Sequence, residues 1–151
     1  MLKSTVGKKL VAATTGLLLF GFVVLHMAGH LLVFQGRDAY NTYAEKLQSL
    51  GPIKWAARGG LLAIAAVHVY CTLTLALANR AARPVGYQRQ VSRRSTWFSR
   101  TMALSGLTVL AFLIFHLLHF TAFMIDGSYA ELHERVAGHE RHDTFGMMAK
   151  L

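Results

Sequence analysis

The chain has 151 residues, of which 54% are hydrophobic and 15% charged, with a formal charge of +9. That balance is too apolar for an ordinary soluble domain, and the apolar residues are gathered into three blocks. Clusters of lysine and arginine without any acid lie in two places beside those blocks, which argues against a nucleic-acid-binding surface and for a membrane protein.

Lys3, Lys8 and Lys9 precede the first block, which is predicted to span about residues 10–34. Roughly 20 residues cross the hydrocarbon core. A secretory leader has an apolar stretch of only ~7–15 residues and a small-residue cleavage site. This block is longer, carries His26 and ends in Leu31-Leu32-Val33-Phe34-Gln35, so it reads as a retained span.

The connection from Gly36 to Trp55 has its own pattern. Asp38 is placed to cap a short helix, with Ala39, Tyr40, Tyr43, Ala44, Leu47 and Leu50 at helical spacing. Gly51-Pro52 stops it. The expectation is an amphipathic helix lying on the outer surface or folded against the bundle. Trp55 and Trp97 flank the later spans where an interfacial aromatic belt belongs.

The second span is predicted over about residues 56–79. Arg58 interrupts its start, and Gly59 to Ala78 is uncharged. The lone cysteine, Cys71, reads as a small core residue. Six arginines and no acid follow, from Arg80 to Arg100, with a helix break at Arg83-Pro84. Their baseline role is setting topology and meeting anionic lipid. Arg80 and Arg83 are also candidates for docking a soluble partner or pairing with an anionic cofactor group.

The third span is predicted over about residues 101–125. The tail beyond it holds five acids and a Ser128–Glu131 capping-box pattern for a short helix. His133, His139 and His142 match no specific zinc spacing and read as part of a solvated polar loop. The charge asymmetry places the N-terminus and the second connection in the cytoplasm, and the first connection and tail outside. The expected fold class is therefore all-α, a three-span transmembrane bundle with a cytoplasmic N-terminus.

Each span carries a histidine: His26, His68 and His116. Imidazole is costly in hydrocarbon unless partnered, so each is a functional candidate. At about 1.5 Å per residue, His26 lies ~24 Å from the cytoplasmic start of its span and His116 ~21 Å from its own. His68 lies ~15 Å from the cytoplasmic side, on another level. Two imidazoles at one level on neighbouring helices are what a bis-histidine haem needs. His30 and His119 stand one turn further out on roughly the same faces. Depth alone does not choose between the inner pair, His26 with His116, and the outer pair, His30 with His119.

Several short motifs now combine. Leu25-His26-Met27-Ala28-Gly29-His30 runs through Gly36 to Asn41. Ala82-Arg83-Pro84 with Tyr87 follows the second span. Ser99-Arg100-Thr101-Met102, Ser105-Gly106 and Phe115-His116-Leu117-Leu118-His119-Phe120 cover the third. Together, in this order and over nearly the whole chain, they resemble the di-haem cytochrome b (b558-type) anchor subunit of succinate dehydrogenase and fumarate reductase. That family has five helices and two haems b. The resemblance implies axial ligands at His26, ten residues before Gly36, at His116, ten residues after Gly106, and at His68. His26 and His116 would complete the haem far from the cytoplasm. The ligand opposite His68 would come from a fourth helix, which Asp143 to Leu151 approaches before the sequence stops. On this reading residues 1–151 are a single membrane domain, the N-terminal part of a five-helix subunit.

The resemblance further implies a bacterial cytoplasmic membrane and flavoprotein and iron–sulfur partners. It implies electron transfer between the iron–sulfur subunit and a membrane quinone. His30, Arg58, Arg80 and His119 are candidates for propionate or quinone contacts. No dinucleotide fingerprint, ferredoxin-like cysteines or nucleophile constellation occurs, so dicarboxylate chemistry resides in the partners and this subunit is not itself catalytic. Three competing expectations stand: a cofactor-free structural anchor, a three-helix anchor sharing one haem with a second membrane subunit, and a proton-conducting bundle. The last is disfavoured because no acid lies in the three spans.

Overall fold

A computed structural model describes residues 4–82, 96–136 and 138–150. The chain is predominantly helical. α1 spans Thr5–His30, α2 Arg37–Gln48, α3 Pro52–Ala81 and α4 Trp97–His116. A tight turn, Leu31–Gln35, extends α1, and a wide one, Leu117–Thr121, extends α4. Three helices are long and apolar enough to cross a membrane: Thr5–Gln35, Pro52–Ala81 and Trp97–Thr121. No more than 6% of the apolar window of each is buried within the chain. Side chains such as Leu17, Phe20 and Leu104 point into open space, and in water such surface is untenable. Lipid or further helices must cover it, and the chain is a multi-pass membrane protein.

The spans begin earlier than composition suggests, because capping residues sit outside the apolar blocks. Ser4 accepts the Gly7 N–H at 2.9 Å and starts α1 ahead of Lys8 and Lys9. Thr96 accepts the Ser99 N–H at 3.2 Å and starts α4. Gly51 takes φ +54° and turns the chain into Pro52, the first residue of α3. Arg58 lies in the second turn of α3, inside the predicted span, with its guanidinium 5.2 Å from the Trp55 ring centroid. The third span ends at Thr121, short of Ile125. There the helix widens, Ala122 N–H bonding Leu117 O, and Phe123 takes φ 52°. The predicted break at Arg83-Pro84, Tyr87, and the arginines Arg89, Arg93 and Arg94 lie outside the described residues.

By internal contacts, residues up to Leu77 together with those from Leu132 form one unit, and Ala78–Glu131 form another. In the first unit, α2 folds back on the end of α1. A Cβ on Gly29 would fall 2.6 Å from the Tyr43 hydroxyl, so only glycine admits that side chain there. The cap of α2 is Gly36 at φ 103°, not Asp38 as expected. Asp38 sits in the first turn, where a carboxylate suits the helix dipole, and pairs with Arg141 at 2.9 Å.

The tail is the largest departure from expectation. Gly127–Glu131 forms the predicted short helical turn, in the second unit. The segment beyond it is not a solvated loop. β1 (His133–Val136) and β2 (His139–His142) form an antiparallel hairpin, with His133 opposite His142 and Glu134 opposite Arg141. α5 (Thr144–Ala149) follows, capped by Asp143. The alternation of side chains along β1 and β2 turns Glu134 and Arg141 to α2. Asn41 of α2 is fully buried there. Its amide donates to Glu134 at 2.7 Å and to Asp143 at 2.9 Å, and its oxygen accepts the Phe145 N–H at 2.8 Å. Arg141 donates to Glu134 at 2.6 Å, Thr42 at 2.9 Å and Asp38 at 2.9 Å. Asn41 and Arg141 thus have partners in this clasp, without which their burial would be costly.

Burial alone would push the Asp143 carboxyl up, but the Asn41 and Gly146 hydrogen bonds and the Arg37 and His142 charges hold it below the usual carboxylate range. A depressed carboxyl stabilises the fold above its unfolded pKa, and that support fades as pH falls through the folded value. The hairpin should therefore stay protected from neutral pH down to the usual carboxylate range and loosen below it. Asn41→Ala removes one hydrogen bond each from Glu134 and Asp143 and leaves the Phe145 N–H without its acceptor, at a cost of ~3 kcal/mol. Hydrogen exchange of the β1 and β2 amides in detergent should then accelerate by roughly a hundredfold at neutral pH.

Candidate functional site

His68 has the most completely specified setting. Thr15 Oγ1 donates to Val11 O at 2.7 Å, so towards the imidazole it can only accept. His68 Nδ1 lies 3.1 Å from that oxygen and 3.0 Å from Ala12 O. Both neighbours are acceptors, so the proton is on Nδ1 and the lone pair is on Nε2. The ring comes this close because α1 is narrow there. A Cβ on Gly16 would stand 3.0 Å from His68 Cε1. Cys71, one turn along α3 from His68, is fully buried, as the sequence suggested.

A second group gathers where α1 meets α2. Tyr40 is buried, and its hydroxyl lies 2.6 Å from His30 Nδ1. His30 Nε2 lies 3.2 Å from His26 Nε2, and the two rings meet edge to face. Phe22 stacks on the other side of His26, with ring centroids 5.3 Å apart. Burial raises the Tyr40 phenol above its ordinary pKa, and Tyr43 adds to the effect, so Tyr40 is a neutral O–H donor.

The second unit holds the histidines of α4. His116 closes the regular helix between Phe112 and Phe120, with centroids 5.7 and 5.2 Å away. His119 sits in the widened turn and is buried. Phe115 stacks on it at 5.3 Å and Tyr129 meets it edge-on at 5.0 Å. Its Nδ1 has no hydrogen-bond partner among the described residues. Widened turns of this kind are frequent at functional sites.

The structure thus joins His26 with His30 in one unit, gives His68 its own setting in the same unit, and describes His116 and His119 in the other. Arg58 is engaged with Trp55, and Arg80 lies in the last turn of α3, where a cation suits the helix end. Among the described residues no three His, Cys, Asp or Glu side chains are grouped to hold a metal ion. Neutral imidazole lone pairs in apolar helices, together with the orphaned Nδ1 of His119, are a donor set that suits haem iron and its surroundings.

Sequence reasoning missed Thr15 and Tyr40. Thr15 had a legible signal: Ala12 and Gly16 are small residues four apart, the pattern that lets transmembrane helices approach. Tyr40 was noted only for its spacing. No family model, curated protein or solved structure matches the chain.

Gly16→Leu should drive α3 off α1 at His68. The thiol of Cys71 should then react with a membrane-permeant maleimide, whereas in the parent protein it stays unlabelled.

Proposed function

We propose that the chain is a haem-b-binding membrane anchor of a succinate:quinone oxidoreductase, passing electrons between an iron–sulfur subunit and membrane quinone. The observation that carries this reading is the state of His68. Two acceptors hold its Nδ1 proton, and the lone pair on Nε2 is kept inside an apolar span. A backbone carbonyl on the distal nitrogen is the usual way a protein orients a metal-binding imidazole. The motif order from Leu25 to Phe120, with its resemblance to the di-haem cytochrome b anchors, supports the reading from the sequence side.

In this proposal His26, His116 and His68 would be the residues that hold haem iron, as the resemblance implies. Bound haem would contribute one-electron carriage. The chain's own residues bind and orient it, exclude water and supply hydrogen bonds. His30, His119, Arg58 and Arg80 remain the candidates for propionate or quinone contacts. The soluble subunits would dock on the arginine-rich, cytoplasmic side of a bacterial inner membrane, where the positive charge clusters.

One observation favours a second reading. His26 and His30 already satisfy one another at 3.2 Å, as a cofactor-free anchor would require. The optical spectrum of detergent-purified, dithionite-reduced protein separates the two. A b-type α-band is expected, and a colourless protein would sink the haem reading. His116→Ala should remove one haem signal. Loss of colour on His119→Ala but not on His116→Ala would move the ligand one turn along the helix.

A further inference from the structure

The start of α3 carries positive charge that the topology does not explain. The charge asymmetry places this end of the span opposite the cytoplasm, so cations here run against the orientation that the larger clusters set. Four stand in this connection: Arg37, Lys46, Lys54 and Arg58. Arg37 meets Glu134 and Asp143. Lys46 lies in the last turn of α2, where a cation suits the helix end. Lys54 and Arg58 have no ion pair among the described residues, and the sequence has no acid between Glu45 and Asp126.

Both of these cations converge on one indole. Lys54 Nζ lies 5.8 Å and the Arg58 guanidinium 5.2 Å from the centroid of the Trp55 ring. Lys54 also donates to Gln48 O at 3.3 Å, which holds it against the end of α2. Arg58 is rooted deeper, ~4.5 Å beyond Trp55 along the helix axis. Its side chain turns back towards the helix start, as a cation at the edge of hydrocarbon must. The guanidinium has no hydrogen-bond acceptor among the described residues. An indole face attracts the charges but offers no oxygen to their N–H donors.

Trp55 and Ile53 are exposed beside them. Tryptophan belongs at the headgroup level of a bilayer, so the two cations stand at that level too. The group found there with negative charge and free oxygen acceptors is a lipid phosphodiester. A zwitterionic lipid has the same phosphate, but its ammonium is repelled by the two cations.

We propose that Lys54, Trp55 and Arg58 form a seat for the phosphodiester of an anionic phospholipid on the lipid-facing start of α3. The seat lies beyond the electron-transfer reading and does not depend on it. It gives Arg58 a partner that requires no haem.

In the full chain carrying Trp97→Phe, Trp55 is the remaining tryptophan. That protein is placed in phosphatidylcholine nanodiscs with increasing fractions of a lipid dibrominated near the headgroup end of its acyl chains. Trp55 fluorescence should be half-quenched at a roughly tenfold lower fraction of brominated phosphatidylglycerol than of brominated phosphatidylcholine. Lys54→Gln and Arg58→Gln should each raise the phosphatidylglycerol fraction required by about fivefold, and Arg58→Lys should recover most of that loss. Lys9→Gln, the same loss of charge at the other end of the spans, should leave it unchanged. Inorganic phosphate should not relieve the quenching. Lys54→Gln, ahead of the apolar block, decides the matter where Arg58→Gln fails to insert.

Equal half-quenching by the two lipids would overturn the proposal. So would a preference that survives both glutamine substitutions, or one that Lys9→Gln removes equally. Relief by inorganic phosphate would assign the cations to a free anion and overturn the lipid. The readout needs no cofactor, so a colourless protein, which would sink the haem reading, leaves this result intact.

Discussion

The protonation of imidazole inside apolar helices is the constraint on which the rest of this structure depends. A neutral ring offers one N–H and one lone pair, and hydrocarbon supplies a partner for neither. Whatever partners the chain provides for one nitrogen decide what the other can do. At His68 the partners are two acceptors from α1, Ala12 O and Thr15 Oγ1. They fix a lone pair at Nε2. At His26 and His30 the rings meet one another, and Tyr40, a residue from outside the span, lies 2.6 Å from His30 Nδ1.

That dependence links the polar clasp to the histidines. Tyr40 and Asn41 are adjacent on α2, about 100° apart around the helix. Tyr40 meets His30 on α1, while Asn41 is locked to Glu134, Asp143 and Phe145 of the tail. The hairpin and α5 therefore hold α2 in the register that delivers the phenol to His30. A polar cluster outside the apolar segments thereby holds the phenol beside a polar group at the end of one. Gly29 contributes by admitting Tyr43 against α1.

Much of this was legible in the sequence. Length and apolarity alone define the three spans, because hydrocarbon thickness leaves few alternatives. The Gly51-Pro52 stop, the helix in the first connection and the isolation of Cys71 followed from local rules. The histidines stood out because polar residues in such blocks are rare. The boundaries did not follow, since Ser4, Gly36 and Thr96 act as caps outside the blocks that hydropathy detects. The clasp was not legible either. Glu134, Arg141 and Asp143 look like solvated charges until they are paired with Asn41 and Asp38, about a hundred residues earlier. Local spacing carries no record of such a partner. The widened turn at His119 has the same character, because nothing in Leu117-Leu118-His119-Phe120 distinguishes it from continued α-helix.

The central claim is that these imidazoles present lone pairs to iron. Low-temperature electron paramagnetic resonance of the oxidised protein, reconstituted with haem, tests it most directly. Two imidazole ligands produce a low-spin ferric signal, and His26→Ala should convert that signal to high spin or abolish it. Absence of a low-spin signal in the parent protein, or a low-spin signal unchanged by His26→Ala, would contradict the account.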